Sequence, residues 1–183
     1  KPTKLDALER VEVTSRAQWR DWLAEHHMRK SGVWLVYWKK GNADKHIGYV
    51  AIVEEALCFG WIDSTARSLD KERAMLHVCP RKPNSMWSKV NKGHVERLIA
   101  SKLMMPAGLK AIEVAKANGS WATLDAVDSL VVPEDLARAL ARNTLAETHF
   151  SAFPLSARKY ILYWVSSART PTTREKRISE VVS

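Results

Sequence analysis

Apolar and polar positions in the first half of the chain follow the periods of helices and strands in turn. Residues 15–26 carry a Ser-x-x-Gln capping box and then apolar side chains at i, i+3, i+4 and i+7, which predicts an amphipathic helix. The β-branched and aromatic run 33–38 predicts a strand. Residues 49–59 repeat the helical pattern up to Gly60, which suits a left-handed helix end. Residues 62–79 then predict a hairpin around a polar turn.

The helix predicted over residues 49–59 has one apolar face, which includes Val50 and Val53. The same spacing places Glu54 and Glu55 on the other side, so we expect both carboxylates to face solvent. A strand, a helix and a hairpin in this order predict a small sheet of about three strands with helices against it.

The region that follows the hairpin is predicted to be helical. A first helix is predicted from a cap at Ser85 or Ser88 to about residue 103. A second helix is predicted to start at Pro106, a first-turn proline, and to stop at Gly119.

The last third of the chain has a different character. Residues 119–132 lack helical periodicity and are expected to be a linker, and a second helical cluster follows from residue 133. We therefore predict an α+β fold. Its N-terminal domain, over 1–120, has a sheet of about three strands with flanking helices, and a C-terminal helical bundle covers 121–183.

Composition indicates a globular protein that prefers anionic partners. Hydrophobic residues make up 46% of the chain and charged residues 27%. The chain has 29 Lys and Arg against 20 Asp and Glu, a net charge of +9. Such a charge favours nucleic acid, lipid headgroups or phosphorylated small molecules. No apolar run reaches the roughly 20 residues that span a bilayer.

The cysteine and histidine patterns predict neither a disulfide nor a metal site. Cys58 and Cys79 form no CxxC motif and no cysteine framework, which indicates two reduced thiols and a cytoplasmic location. His26 and His27 are adjacent, and no Cys/His pair has the spacing of metal ligands. We expect no metal and no cofactor.

The most unusual stretch runs from residue 58 to residue 91, where tryptophans, an acid, a proline-framed basic pair and Ser and Asn side chains crowd together. Such residues seldom cluster for packing alone, so we expect a ligand-binding site here and assign no catalytic residue. The candidate ligand-binding residues are Trp61, Asp63, Arg67, Arg81, Lys82, Ser85, Trp87, Ser88 and Asn91.

Two interpretations of this stretch stay open. In the first, Arg81 and the free N–H groups of a helix that begins near Ser85 or Ser88 bind an anion, and Trp87 stacks on a planar group. In the second, the serines only cap the helix, Trp87 fills the core, and Arg81 is solvated or paired with Asp63. The stretch lacks the glycines of a phosphate-binding loop, so no nucleoside triphosphate is expected.

Asp63 and Arg67 lie four residues apart in the predicted hairpin, so both should project from the same side of a strand. An ion pair of Asp63 with Arg67 or with Arg81 is expected. A general base or a ligand-orienting carboxylate is the alternative for Asp63.

An enzyme would need a nucleophile with a base, or paired acids in a cleft. Cys58 with His77 or His94 is the one thiol–imidazole pairing that the sequence offers. Cys58 lies at an apolar helix end, where free cysteines are usually inert.

The C-terminal helix is basic and could bind nucleic acid or anionic lipid. Its cations are Arg169, Arg174, Lys176 and Arg177. A solvated helix face is the alternative interpretation.

Several motifs, in this order, resemble those of one known family. They are 49–63, which ends Glu-Glu-Ala-Leu-Cys-Phe-Gly-Trp-Ile-Asp; 80–91, Pro-Arg-Lys-Pro-x-Ser-x-Trp-Ser-x-x-Asn; 105–109, Met-Pro-Ala-Gly-Leu; and the aromatic and basic pattern of 150–178. From about residue 13 onward the chain looks like a member of the bacteriocin-protection, YdeI/OmpD-associated family.

The resemblance implies a role but no reaction. The family name implies protection against bacteriocins, stress and membrane-active peptides, and association with an outer-membrane porin, without an agreed catalytic residue. Three positions depart from the family pattern. Gly48 stands where a Ser or Thr cap is usual, Ser64 where Gly is usual, and residues 78–79 where Phe-Thr or Phe-Ser is usual.

The sequence thus favours a non-enzymatic, cytoplasmic stress- or bacteriocin-protection protein that binds an anionic small molecule or a polyanion. One alternative is a nucleic-acid-binding protein with a basic, Trp-containing surface. The other is an enzyme that acts on a small anionic metabolite. No protein partner is indicated.

Overall fold

The computed structural model describes residues 4–168 and 170–183 in two compact units, which divide between Trp121 and Ala122. Arg169, expected to contribute to a basic C-terminal helix, lies outside the described residues. The N-terminal unit contains a sheet with helices packed against it, and the C-terminal unit is helical. The predicted α+β fold class is confirmed.

The sheet of the N-terminal unit has four strands in the order β1-β2-β4-β3. They are β1 (Arg10–Glu12), β2 (Val33–Trp38), β3 (Trp61–Ser68) and β4 (Arg73–Pro80). β1 pairs with β2 in parallel, and the other two pairings are antiparallel. The sequence predicted about three strands, because β1 is too short for an alternation of apolar and polar residues to show.

Four α-helices accompany this sheet, and a short 3-10 helix, Lys4–Ala7, precedes it. The α-helices are α1 (Arg16–His26), α2 (Tyr49–Cys58), α3 (Lys89–Ala100) and α4 (Pro106–Ala117). α1 and α2 pack against each other, and α2 also contacts α3, α4 and β3. One face of the sheet and the helices share a core centred on Trp19, Leu23, Leu35, Ile52, Leu57 and Leu76.

The burial of α2 corrects two expectations about its faces. Glu55 is only 2% exposed, although the helical pattern placed it outside, and Val50, expected to be buried, is 50% exposed. α2 contacts other elements on most of its circumference, so a single apolar stripe does not describe it.

A β-bulge in β3 separates Asp63 from Arg67. Asp63 pairs with Val78 and Ala66 pairs with Leu76, so β3 has one residue more than β4 across this interval. The extra residue reverses the alternation, and Arg67 therefore projects from the sheet face opposite to that of Asp63. The expectation that both side chains share a face is wrong, because a sequence pattern does not reveal a bulge.

Two residues at helix ends, Ser88 and Gly60, have the roles that the sequence predicted. The Ser88 hydroxyl accepts a hydrogen bond from the N–H of Asn91 at 3.2 Å, so Ser88, and not Ser85, caps α3. Gly60 follows the end of α2 with a φ of +75°, a left-handed conformation that favours glycine.

The C-terminal unit has its own hydrophobic core. Its helices are α5 (Asp125–Asp128), α6 (Glu134–Ala141), α7 (Thr144–Ala152), α8 (Leu155–Ser166) and α9 (Pro171–Val182). Leu136, Leu140, Phe150, Leu162 and Val165 are buried together in it. The segment 119–132, expected to be a linker, contains α5, and Val127 of that helix joins this core.

Candidate functional site

A cavity of about 240 Å³ in the N-terminal unit brings part of the predicted site together. Its walls are the turn from α2 to β3, the proline-framed segment that follows β4, and one face of α4. Phe59 and Trp61 contribute from the turn, Arg81 from the segment, and Ala107 and Ala111 from α4.

Small residues create this space. Ala107 and Ala111 lie one turn apart on α4 and present only methyl groups to the cavity. Gly108, between them, lets α4 approach α2, because a Cβ there would collide with the carbonyl oxygen of Cys58. The helix therefore sits close to the turn while its neighbouring side chains leave the cavity open.

Arg81 is the chemically distinctive residue of the cavity. Its Nη2 donates to the carbonyl oxygen of Met86 at 2.5 Å, and its guanidinium carbon lies 3.7 Å from the centroid of the Trp87 ring. The other two nitrogens, Nε and Nη1, are shielded from solvent and have no hydrogen-bond partner. Buried polar groups are normally hydrogen-bonded, so two unpaired donors on one cation are unusual.

Burial lowers the pKa of Arg81 from its ordinary value to about 10, and the negative charge of Asp63 partly opposes the shift. The group is still a cation at neutral pH. Two exposed lysines, Lys82 and Lys110, add positive charge at the rim. Lys110 also pairs with Glu113 at 3.3 Å.

Four of the nine predicted ligand-binding residues line the cavity: Trp61, Arg81, Lys82 and Trp87. Both tryptophans are 1% exposed and serve as walls rather than as open stacking faces. The sequence did not point to Lys110 or His27, which also line the cavity. Lys110 lies three residues after Ala107, so the helical period could have placed both on one face of α4. No local sequence pattern singles out His27.

The other five predicted residues do not line this cavity: Asp63, Arg67, Ser85, Ser88 and Asn91. The Tyr49 hydroxyl donates to Asp63 at 2.6 Å. Burial, together with this hydrogen bond, raises the pKa of Tyr49 to about 12. Arg67 pairs with Asp6 at 2.6 Å and lies over the Trp34 ring, so the expected pair with Asp63 does not form.

A polar cluster that the sequence did not suggest joins α1, α2 and α3. Glu55 accepts hydrogen bonds from Arg16 and Arg20, both at 2.6 Å. Glu54 contacts Arg16 at 3.2 Å and the Nδ1 of His94 at 3.0 Å. All four oxygens of the two carboxylates thus have cationic or imidazole partners, which is the arrangement of a structural network.

The thiol–imidazole pairing considered from the sequence does not form. Cys58 is buried, and burial raises the pKa of its thiol, with the nearby charge of Glu55 acting in the same direction. His94 contacts Glu54, and the Nδ1 of His77 lies 2.8 Å from the Ser64 hydroxyl. Neither histidine is therefore placed to activate Cys58.

Two cations of the basic C-terminal helix are engaged within their own unit. Arg174 makes a two-point contact with Asp135, at 2.6 and 2.8 Å. Arg177 donates to the carbonyl oxygen of Trp164 and, at 3.0 Å, to the Ser167 hydroxyl, both at the end of α8. All eight tryptophans lie in the described residues, and each is buried or half-buried.

Residues 4–168 and 170–183 contain no helix with the length and apolarity needed to cross a bilayer. The same residues hold no group of three or more His, Cys, Asp or Glu side chains arranged to hold a metal ion.

Comparison with known families gives two matches. A family model described as a domain of unknown function (DUF8412) matches residues 11–111, which include all the cavity residues except Val114. A second, described as bacteriocin-protection, YdeI or OmpD-associated, matches residues 129–183. No curated protein and no solved structure matches the chain.

Proposed function

Because the chain belongs to the domain family of unknown function DUF8412 and ends in a segment that matches a bacteriocin-protection family, we propose that it is a protection protein that acts by binding. Its ligand is a small anion, held in the cavity around Arg81. The protein works in the cytoplasm during bacteriocin or related stress, a location that the free thiols of Cys58 and Cys79 support.

One observation carries the binding proposal: the guanidinium of Arg81 is buried against Trp87 while two of its nitrogens lack partners. An unpaired buried donor costs about 1–3 kcal/mol, and more on a charged group. An anion that reaches these two nitrogens from the cavity would relieve this cost. The exposed lysines at the rim would attract the anion before it reaches Arg81.

Binding accounts for these features better than catalysis does. The cation Arg81 lies among mostly apolar walls, and the described residues that line the cavity include neither a carboxylate nor a thiol. Such a cavity can hold and orient an anion, but it offers no paired nucleophile and base.

A thermal-shift assay tests the binding step. Phosphate, sulfate, acetate and benzoate are each added to the wild-type protein and to the Arg81→Ala and Arg10→Ala variants. Arg10 is an exposed arginine of β1 that does not line the cavity, so its variant matches the change in charge. We expect at least one anion at ten times its Kd to raise the wild-type Tm by about 3–5 °C.

The Arg81→Ala variant should lose this rise and Arg10→Ala should keep it. The binding proposal is wrong if no anion stabilises the wild type, or if both variants respond as it does.

A survival assay tests the protective role. Cells that produce the wild-type chain should survive a bacteriocin challenge better than cells that produce Arg81→Ala at the same level. Equal survival of cells with and without the wild-type chain would remove the protective role, and it would leave the binding measurement unaffected.

A further inference from the structure

The donors around the cavity limit the kind of anion that fits. Pro80 and Pro83 have no backbone N–H, and the N–H of Arg81 between them donates to the carbonyl oxygen of Gly60 at 2.9 Å. The indole N–H of Trp61 donates to the carbonyl oxygen of His27 at 2.9 Å. The proline-framed segment therefore lacks the row of free N–H groups that cradles phosphate in phosphate-binding loops.

The beginning of α3 does not supply such a row either. Ser88 caps its first turn through the N–H of Asn91, and neither residue lines the cavity. Arg81 thus remains the principal source of buried donors. A guanidinium suits the two oxygens of a carboxylate, and a phosphate needs further donors for its additional oxygens.

Apart from His27 and the two lysines at the rim, the remaining walls are apolar. The rings of Phe59, Trp61 and Trp87 and the side chains of Ala111 and Val114 face the same space as Arg81. An apolar cavity of roughly 150 Å³ is enough to hold benzene. The 240 Å³ found here accommodates one ring, or a branched chain of similar size, together with a carboxylate.

We propose that the ligand is a small monocarboxylate with an apolar body, its carboxylate on Arg81 and its body against Phe59, Trp61 and Val114. This inference rests on the anion-binding function proposed above and narrows it to one class of ligand. Free phosphate and phosphorylated metabolites are excluded from that class.

Benzoate is the test probe, and three further compounds show which of its features binding requires. Benzamide keeps the ring and loses the charge, acetate keeps the carboxylate and loses the ring, and inorganic phosphate is an anion of the wrong shape. Each is titrated into the full chain while backbone amide shifts are followed by NMR. We expect benzoate to bind with a Kd on the order of a millimolar and to shift Gly60 and Ala111. The other three compounds should bind at least about ten-fold more weakly.

Two variants locate the binding. Arg81→Gln retains the backbone bond to Gly60 and removes the charge, and it should weaken benzoate binding about ten-fold or more. Ala111→Met fills the cavity from α4 and should abolish benzoate binding without touching Arg81. Arg10→Gln is the matched control and should bind as the wild type does. Unchanged binding in both cavity variants overturns the proposal.

The probes separate the failure of this inference from that of the binding function. If phosphate binds as tightly as benzoate, the proposed carboxylate class is wrong and the anion site remains. If acetate binds as tightly as benzoate, only the proposed contact with an apolar body is wrong. Benzamide as tight as benzoate, or no response to any probe, overturns both the inference and the anion-binding function.

Discussion

Two charged side chains of the N-terminal unit, Glu55 and Arg81, are withdrawn from water in different ways. The carboxylate of Glu55 is met by Arg16 and Arg20, so its charge is balanced inside the protein. The guanidinium of Arg81 has one carbonyl partner and an aromatic face, and two of its nitrogens have no partner. A charge balanced internally serves the fold, whereas one left incomplete can be completed by a ligand.

Removing the charge of Glu55 should destabilise the N-terminal unit. Glu55→Gln leaves Arg16 and Arg20 without their buried partner, and we expect a loss of about 2–3 kcal/mol in the free energy of unfolding. Urea denaturation measures the change. Glu113→Gln, which breaks the exposed pair with Lys110, is the control and should change stability by less than about 0.5 kcal/mol. Equal effects of the two substitutions would contradict the structural role of Glu55.

Glu54 makes stability depend on acidity. Burial disfavours its ionised form, but the hydrogen bond with His94 and the charge of Arg16 outweigh burial and lower the pKa of Glu54 below its ordinary value. A carboxyl group with a lowered folded-state pKa stabilises the fold above its unfolded pKa, and this contribution is lost as the pH falls through the folded value. Below about pH 4.5 the wild-type Tm should fall more steeply than that of Glu54→Gln. Parallel curves for the two proteins would disprove this assignment.

At the scale of secondary-structure elements, α4 is held close to α2 by one glycine. A Cβ at Gly108 would meet the carbonyl oxygens of Cys58 and Leu57, which are backbone atoms and cannot move aside as a flexible side chain could. Gly93, in α3, has only the end of the Arg97 side chain near its Cβ position, at 3.7 Å. The two helical glycines have the same intrinsic helix propensity and different surroundings.

Alanine at these two positions should therefore act in opposite directions. Gly93→Ala should stabilise the protein by about 0.5–1 kcal/mol, because alanine is the better helix former. Gly108→Ala should destabilise it by about 1–3 kcal/mol, because the overpacking outweighs that gain. Thermal denaturation of both variants measures the difference. Two changes of the same sign would show that α4 does not pack as described.

The predictability of each element depended on how local its determinants are. The capping box of α1, the apolar run of β2 and Gly60 after α2 are local signals, and the structure has each element where they indicated. The bulge in β3 and the burial of Glu55 arise from pairing and packing with distant residues. In the site, the composition of Pro80–Pro83 is a local signal that the sequence shows. The contribution of α4 to the cavity wall depends on tertiary packing, which the sequence pattern does not show.

At the scale of the whole chain, each of the two units has a hydrophobic core of its own. Leu136 is fully buried in the core of the C-terminal unit. Leu136→Ala should lower the stability of α6–α9 by about 2–4 kcal/mol. Amide hydrogen exchange should show faster exchange in these helices and unchanged exchange in the four-stranded sheet. Equal acceleration in both units would mean that they unfold as one.

The net charge of +9 should produce only a weak attraction to nucleic acid. The tryptophans are at least half-buried, so they offer little open ring surface for bases to stack on, and Arg174 and Arg177 are engaged within their unit. Fluorescence anisotropy with a single-stranded oligonucleotide should detect binding at ~20 mM salt that disappears by ~150 mM. Tight binding at the higher salt would favour the nucleic-acid alternative.

The bulge in β3 has a consequence for the behaviour of the protein at high concentration. β3 is an outer strand of its sheet, and an outer strand offers backbone groups that a strand from another molecule can pair with. The extra residue between Asp63 and Ala66 interrupts the regular spacing of those groups and twists the strand. A second chain cannot extend the sheet evenly along this edge, so the bulge protects the protein against aggregation by strand addition.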